Sequence, residues 1–271
     1  MTHSQTLIDP KALAQHRLRF DPERGAFLHQ DAVDEAKDRL ALVNKEFTAP
    51  AIVTGFPAFW ESAFPIYTVV KDHDALSLEV QAHDLVIHAM SLHASNDPLG
   101  QLIQCQRALK PDGLFLGVFL GGRTLFELRQ AFAQAEIETT GGMSPRVMPM
   151  SDVKDVGALM QRAGFALPVA DSVTYPVSYH SSVDLMKDVR AMGEANAQHA
   201  RLKTFSRRST FAAVKRIYAQ EFTMQNKRVS ATFELIWLTG WSPSADQPKA
   251  LRPGSASVRL ADALGSKENP L

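Results

Sequence analysis

Hydrophobic positions at the start of the chain recur at helical spacing. One set includes Ala12, Leu13 and Leu18, and a second continues over residues 33–43. Apolar residues three or four positions apart line one face of an α-helix, so both sets indicate amphipathic helices. The pattern predicts a helical N-terminal arm over residues 1–46.

Beyond this arm, short apolar runs alternate with segments of helical spacing. The runs at 84–90 and 114–119 are apolar on both faces, as strands of a covered parallel sheet are. β-branched residues favour another strand at 66–70, and Pro98 begins the helix between the two longest runs. This alternation predicts an α/β fold with a doubly wound parallel sheet.

The same pattern continues through the second half of the chain. Further helices are expected at 124–138, 152–163, 181–193 and 208–222, and further strands at 169–179 and 232–241. A sharp turn is predicted at 110–113. The main domain is therefore expected to span residues 47–242, with a helical insertion at about 180–228. Residues 243–271 are rich in Pro, Ser, Gly and Lys and are predicted to form a largely mobile tail.

Charge is balanced overall but unevenly distributed. The formal net charge is zero, so no global field attracts nucleic acid. Residues 31–84 carry ten acids and four bases, whereas residues 187–228 carry ten bases and three acids. The basic stretch either forms solvated helix faces or docks an acidic partner. Its aromatic residues are spaced as core positions, so nucleic acid is the least favoured partner.

The cysteine content and the length of the apolar runs limit the kinds of covalent or metal site, and the cellular location, that the sequence allows. Cys105 is the only cysteine, which excludes an internal disulfide and a metal site built from several cysteines. Its helical context with apolar neighbours predicts a buried, inert thiol. No secretory signal is visible, and the longest apolar run, 114–120, is too short to span a bilayer. We therefore expect a cytoplasmic protein without a membrane span.

Several segments resemble one known superfamily. They lie at 84–86, 91–93, 109–113, 121–129, 141–146, 162–165, 186–196 and 251–256. Together they resemble a branch of the class I S-adenosylmethionine-dependent methyltransferases that includes mitochondrial complex I assembly factor 5, an arginine hydroxylase. The malonyl-carrier-protein methyltransferases are more distant members. Near the N-terminus, Arg17 and Phe20 fall where this branch has a basic and aromatic approach helix.

The resemblance implies both a fold and a type of function. The fold is the Rossmann-like class I methyltransferase fold, with a helical N-terminal arm and a helical insertion before the last strand. The implied cofactor is S-adenosylmethionine, and the implied partner is a protein, namely a respiratory complex subunit. Contacts to the cofactor are expected at Gly55, Asp72 and Met90, with Asp72 matching the acid that usually faces the adenine amine.

The chain departs from this family where the cofactor loop belongs. Members that bind the cofactor have an acid–x–Gly–x–Gly–x–Gly run after the first strand. Here Val53 takes the acid position and Gly55 is the only glycine, so the backbone cannot approach the methionine part of the cofactor. Pro57 and Phe59 are expected to fill the cavity. The chain after Gly55 is also shorter and lacks the strand whose acid would hold the ribose.

Five side chains are candidates for chemistry or partner binding. His93 follows a strand at the edge where open α/β sheets bind ligands, which suits a catalytic base or a packing residue. Arg123 and Arg129 suit a carboxylate or an acidic partner, or plain solvation. Glu127 and Glu194 suit a substrate guanidinium, or an ordinary helix surface.

The histidines also raise the question of a metal. His73, His83, His88 and His93 lie close together in the sequence, and a hydroxylase can bind iron through two histidines and a carboxylate. No His-x-Asp or His-x-Glu pair occurs among them, so we predict no metal site.

Three functions compete on this evidence. The favoured one is a methyltransferase-like protein with weak or lost cofactor binding that acts in respiratory complex assembly or protein docking. The alternative is an active S-adenosylmethionine-dependent methyltransferase or protein-arginine hydroxylase. A nucleic-acid modifier that uses the basic stretch is third.

Overall fold

Six strands in the described part of the chain form one sheet, and helices cover both of its faces. The computed structural model describes residues 6–247, 258 and 265. The strands are β1 Pro50–Thr54, β2 Thr68–Lys71, β3 His83–Ala89, β4 Leu109–Leu120, β5 Ala166–Tyr179 and β6 Val229–Trp241. The helices are α1 Pro10–Arg17, α2 Pro22–Gly25, α3 Phe27–Ala41, α4 Pro57–Ala63, α5 Pro98–Ala108, α6 Phe126–Thr140, α7 Val153–Arg162, α8 Ser182–Ala191 and α9 Arg208–Glu221. A short 3-10 helix spans Leu92–Ala94.

The sheet is parallel over its first four strands only. Its order is β2-β1-β3-β4-β6-β5, with β1 to β4 parallel and β6 antiparallel to both β4 and β5. The expected parallel arrangement is therefore wrong for β6, which runs against the other five strands, whereas β5 has the same direction as β1 to β4. β5 is an edge strand with many exposed residues, which an antiparallel partner tolerates. β2 pairs directly with β1, so no further strand lies between them.

Local sequence signals explain most element boundaries. Asp97 caps α5, because its carboxylate accepts a hydrogen bond from Gly100 N at 2.8 Å. The turn predicted at 110–113 is instead a bulge inside β4, with Asp112 at φ +60°. The residue after β6 stabilises the bulge, because Ser242 N donates to Gly113 O at 2.8 Å and Asp112 N donates to Ser242 O at 3.1 Å.

Two hydrophobic clusters hold the sheet between its helices. On one face, Trp60 and Trp237 are fully buried among residues of α3, α4, α6, α8 and α9. On the other face, Phe115 and Phe119 pack against α5 and α7. Trp237 is buried, whereas Trp241 is half-buried at the end of β6. Burying such large aromatics supplies much of the stabilisation of the fold.

The N-terminal arm lies across the carboxyl ends of the parallel strands and contacts the segment that follows α8. Ile8 forms an isolated bridge with Gln198, and Asp9 N donates to Ala197 O at 2.8 Å. Ile8 N also donates to Asn96 Oδ1 at 2.8 Å, next to the 3-10 helix. These contacts join two distant parts of the chain over the edge where α/β folds bind ligands.

The predicted domain boundaries remain predictions. The tail predicted at 243–271 lies almost entirely outside the described residues, since the description ends at 247 apart from positions 258 and 265. The segment 251–256, which belongs to the family resemblance, lies outside them as well. Across the described residues, no helix is both long and apolar enough to cross a membrane.

Cys105 is expected not to react with Ellman's reagent in the native protein. Its side chain is fully buried against the second hydrophobic cluster, and burial raises the pKa of the thiol. Labelling should appear only in denaturant, followed by absorbance at the thionitrobenzoate band. Ser62→Cys, at an exposed position of α4, is the control and should add one thiol that reacts at once. Rapid labelling of the unsubstituted native chain would contradict this packing.

Candidate functional site

The loop after β1 is short, tight and nearly free of glycine. Thr54 Oγ1 accepts a hydrogen bond from Phe56 N at 3.1 Å, and Pro57 begins α4 immediately afterwards. Gly55 does not have a positive φ. A Cβ at this position would lie 2.3 Å from Cζ of Arg17, so glycine is needed only for the guanidinium to keep its place. The lack of a side chain at Gly55 therefore lets the guanidinium of Arg17, from this same chain, pack against the backbone of the loop.

Arg17, the last residue of α1, links two of the predicted cofactor positions. Its Nη1 donates to Asp72 Oδ1 at 2.9 Å, and the two side chains are only 14% and 10% exposed. Its guanidinium lies over Gly55 and 5.5 Å from the centre of the Phe56 ring. Within residues 6–247, its Nε and Nη2 are buried without a hydrogen-bond partner. The carboxylate expected to face a cofactor thus has an internal counter-ion.

A cleft of about 780 Å³ opens beside this ion pair. Its lining includes the aromatic residues Phe20, Phe56 and Phe59 and the polar residues Asp72 and Gln101. Phe59 and its neighbour Pro57 form part of the wall. The expectation that these two residues fill the cavity is therefore wrong, because they lie at its edge and leave the volume open.

His29 completes the aromatic side of the site. Its ring lies between 4.5 and 5.4 Å, centre to centre, from those of Phe20, Phe56 and Phe59. Trp60 Nε1 donates to His29 Nδ1 at 3.2 Å. Burial lowers the pKa of His29 to about 4, so the imidazole is neutral at physiological pH.

A second buried polar pair joins the 3-10 helix to the segment after α8. His93 Nε2 donates to Glu194 Oε2 at 3.0 Å, with side-chain exposures of 0% and 8%. Burial by itself raises the pKa of Glu194, but the charges of His93 and Arg17 and the hydrogen bond outweigh it, so the pKa is lowered. Among the described residues, His93 Nδ1 has no partner. Glu194 therefore orients His93, and its carboxylate is not free for a guanidinium of another molecule.

The remaining predicted residues lie away from the cleft. Met90 is buried in the core at φ +50°, and its N–H donates to Val118 O at 2.7 Å. The Glu127 carboxylate is buried and accepts hydrogen bonds from Thr232 N at 3.1 Å and Thr232 Oγ1 at 2.6 Å. Hydrogen bonds from β6 therefore explain why the Glu127 carboxylate is buried. The helical pattern of the sequence alone does not distinguish Glu127 from an acid on the surface.

The two arginines differ in their surroundings. The Arg123 side chain is exposed, while its backbone N–H donates to Glu234 Oε2 at 2.9 Å. Arg129 is half-buried, and its Nη2 lies 3.3 Å from Met148 O. The structure thus brings together Gly55, Asp72, His93 and Glu194 but leaves Arg123, Glu127, Arg129 and Met90 elsewhere.

The histidines do not converge on a metal centre. In the part of the chain that the structure describes, no group of three or more His, Cys, Asp or Glu side chains is arranged to hold a metal ion. His88 is fully buried, and its Nε2 lies 3.0 Å from Gln101 Oε1.

Gly55→Ala is expected to break the Arg17–Asp72 pair without unfolding the protein. The new methyl group would lie 2.3 Å from Arg17 Cζ, at the far end of a flexible side chain that can move into the adjacent cleft. We expect a loss of about 1–3 kcal/mol in the free energy of unfolding, measured with urea. Gly142→Ala, where a Cβ meets nothing within 4 Å, is the control. An effect no larger than that of the control would contradict the close approach.

Comparison with known proteins gives a consistent family. No protein-family model matches the chain. It is 37% identical over 201 residues to the mitochondrial arginine-hydroxylase NDUFAF5 of Danio rerio, covering 74% of this chain and 62% of that protein. The corresponding human protein is 34% identical over 227 residues, with coverages of 84% and 65%. A malonyl-[acyl-carrier protein] O-methyltransferase of Laribacter hongkongensis is 32% identical over 186 residues, with coverages of 69% and 60%.

The chain is a homologue of the NDUFAF5 arginine-hydroxylases and, at lower identity, of a malonyl-[acyl-carrier protein] O-methyltransferase. It spans about three fifths of the length of these relatives. The predicted Rossmann-like α/β fold is confirmed by the six-stranded sheet. A putative methyltransferase from Bacillus halodurans C-125 is a solved structure of similar shape, with 14% identity and a TM-score of 0.47 over 77% of this chain and 98% of that one.

Proposed function

We propose that this NDUFAF5 homologue binds S-adenosylmethionine weakly or not at all and acts in respiratory complex assembly or protein docking. The observation that carries the proposal is the position of Arg17. Its guanidinium occupies the space over Gly55 and pairs with Asp72 at 2.9 Å. The loop thus lacks the glycines that the cofactor's methionine part requires, and its remaining space is taken by a side chain.

The energetic argument follows from the burial of this pair. A ligand that takes the place of the guanidinium must separate two charges that are 14% and 10% exposed. Leaving a buried charge unpaired costs about 3–5 kcal/mol. That corresponds to roughly two to four orders of magnitude in affinity. The residues present therefore fit the family cofactor poorly.

A role with a protein partner is supported by the family and by charge. The chain resembles complex I assembly factor 5, which implies a respiratory complex subunit as the partner. The stretch 187–228 carries ten bases against three acids, which suits an acidic protein surface. The cytoplasmic location remains a prediction, and two relatives are described as mitochondrial.

An active enzyme is the second candidate, and one observation favours it. The cleft of about 780 Å³ is large enough for a nucleoside cofactor, and the buried His93–Glu194 pair lies at the same edge of the sheet. On this alternative the chain is an S-adenosylmethionine-dependent methyltransferase or, like its relatives by name, a protein-arginine hydroxylase.

Calorimetric titration separates the two candidates. Ligand-free protein is titrated with S-adenosylmethionine and with S-adenosylhomocysteine, alongside Arg17→Ala and the control Arg19→Ala at an exposed neighbouring position. The proposal predicts no heat of binding in the unsubstituted chain up to about millimolar ligand. It also predicts that Arg17→Ala binds no more weakly than the unsubstituted chain.

Micromolar binding by the unsubstituted chain would overturn the proposal. If that binding were also lost in Arg17→Ala but not in Arg19→Ala, Nε and Nη2 of Arg17, which have no partner among the described residues, would be ligand contacts.

A further inference from the structure

One corner of the molecule exposes an unusual number of large apolar side chains. It lies where the end of α6 meets the start of α9, and we refer to it as the α6–α9 corner. Its exposed members are Met143, Leu202, Phe205 and Phe211. Phe205 is completely exposed, at 104%. Contiguous exposed apolar groups of this kind mark interaction surfaces in soluble proteins.

Direct contacts place these residues on one surface. Thr139 and Thr210 share a hydrogen bond of 2.9 Å between their hydroxyl groups, which joins α6 to α9. Arg146 Nη1 donates to Ser206 Oγ at 2.7 Å, which joins the loop containing Met143 to the loop containing Phe205. These two hydrogen bonds bring the segments that carry Met143, Phe205 and Phe211 to the same side of the molecule.

A groove of about 550 Å³ adjoins the corner. Its wall includes Phe132, Met143, Pro145 and Met150, and Arg129 also lines it. The Phe132 ring lies 5.9 Å from that of Phe211, so the groove and the exposed patch share an aromatic border. A concave apolar groove with a cation in its wall fits an extended peptide better than a flat lipid surface.

The charge of the corner is one-sided. Residues 195–220 contain six Lys or Arg and no acid. Two of these cations are paired, Arg201 with Asp9 and Arg216 with Glu138. Among the described residues, no carboxylate pairs with Lys203, Arg208 or Lys215, which are all exposed.

The one buried acid beneath the corner does not alter this balance. The Glu136 carboxylate is held by Arg146 and by Ser144, whose N–H donates to it at 2.6 Å. Burial by itself raises the pKa of Glu136, but these hydrogen bonds and the charge of Arg146 lower it. Glu136 therefore neutralises Arg146 and leaves Lys203, Arg208 and Lys215 to face solvent.

We propose that the α6–α9 corner binds an acidic segment of a protein partner that carries apolar anchor residues. The anchors would enter the groove and pack against Phe205, while the acidic groups meet Lys203 and Arg208. Charge complementarity accelerates association and selects the partner, and burial of the aromatic group supplies affinity. This proposal depends on the protein partner in the proposed function and does not depend on the loss of cofactor binding.

The test uses the full chain and a defined probe. A fluorescein-labelled peptide of repeating Glu-Leu-Asp-Phe units is titrated with protein and followed by fluorescence anisotropy. A peptide of repeating Lys-Leu-Lys-Phe units and phosphatidylcholine vesicles with phosphatidylglycerol are tested in parallel. The proposal predicts binding of the acidic peptide only, with affinity that falls as salt is raised.

Matched variants show whether the corner is responsible. Lys203→Glu/Arg208→Glu is expected to weaken peptide binding about tenfold or more, and Phe205→Ala to weaken it several-fold. The charge control is Lys154→Glu/Arg162→Glu on α7, at exposed positions. The apolar control is Ile66→Ala, which is 83% exposed. Neither control should change affinity more than about twofold.

Three results would overturn the proposal. They are no binding of the acidic peptide, equal weakening by the corner and control variants, and vesicle binding that depends on Phe205 in place of peptide binding. Because the corner lies outside the cleft lined by Arg17, the calorimetric titration is independent of these variants. If the acidic peptide does not bind and the calorimetric titration gives the expected result, the corner is rejected as a binding site. The proposed loss of cofactor binding would then still stand.

Discussion

Asp72→Ala is expected to lower the free energy of unfolding by about 3 kcal/mol, because it leaves the Arg17 guanidinium buried without a counter-ion. The two charged groups are 2.9 Å apart, and the side chains of Arg17 and Asp72 are only 14% and 10% exposed. The expected loss in the free energy of unfolding is at the low end of the range for breaking a buried ion pair, because Arg17 lines the cleft and water can reach it there. Urea unfolding followed by circular dichroism measures it.

Removal of the arginine as well should restore most of the stability. Arg17→Met in the Asp72→Ala background replaces the unpaired charge with an apolar side chain against Phe56. Arg24 and Asp188, 2.8 Å apart, are the matched control, because Arg24 is 50% exposed. Asp188→Ala should cost no more than about 1 kcal/mol. If Asp72→Ala costs no more than Asp188→Ala, the buried pair is not present in solution.

Glu194→Gln is expected to lower the free energy of unfolding by about 1.5–3 kcal/mol near neutral pH, because it weakens a charge-assisted hydrogen bond to His93. The effect depends on pH. The folded-state pKa of Glu194 lies below its ordinary value of 4.5, so its stabilisation is present above pH 4.5 and is lost as the pH falls through the folded-state pKa. The difference between variant and unsubstituted protein should therefore shrink in acid.

Urea unfolding between about pH 3.5 and pH 7 tests this pH dependence. Only the difference between the two proteins is informative, since Asp84, Asp112 and Glu136 also have lowered pKa values and destabilise both in acid. Glu61→Gln, at an exposed position of α4, is the control and should show no pH-dependent difference. A Glu194→Gln effect that stays constant across this range would show that Glu194 is not ionised beside His93.

Much of the fold is readable from local pattern. The apolar runs at 84–90 and 114–119 match β3 and β4, and the segments 181–193 and 208–222 match α8 and α9 to within a few residues. Strands buried on both faces and amphipathic helices are properties of short windows of sequence. The direction of a strand is not such a local property, because the antiparallel direction of β6 depends on the strands with which it pairs, β4 and β5.

The candidate site was only partly predictable. His93 lies at the edge expected from the sequence, because the carboxyl ends of parallel strands meet there, whereas Gly55 and Asp72 are expected only from the family resemblance. Arg17 was noted as part of a basic and aromatic helix, but its pairing with Asp72 across 55 positions leaves no local signal. Glu127 and Glu194 are alike in sequence, yet one is bound by Thr232 and the other by His93.

The sequence by itself determined the alternation of elements, the family and the loss of the glycine-rich loop, because each depends on residue identity within a short segment. The tertiary structure decided what occupies the space over Gly55, which acids have partners, and that the cleft stays open beside Phe59. Those outcomes depend on long-range contacts between the N-terminal arm, the parallel strands and the segment after α8. Side chains far apart in the chain meet only once the core has packed, so their pairing is a property of the folded molecule.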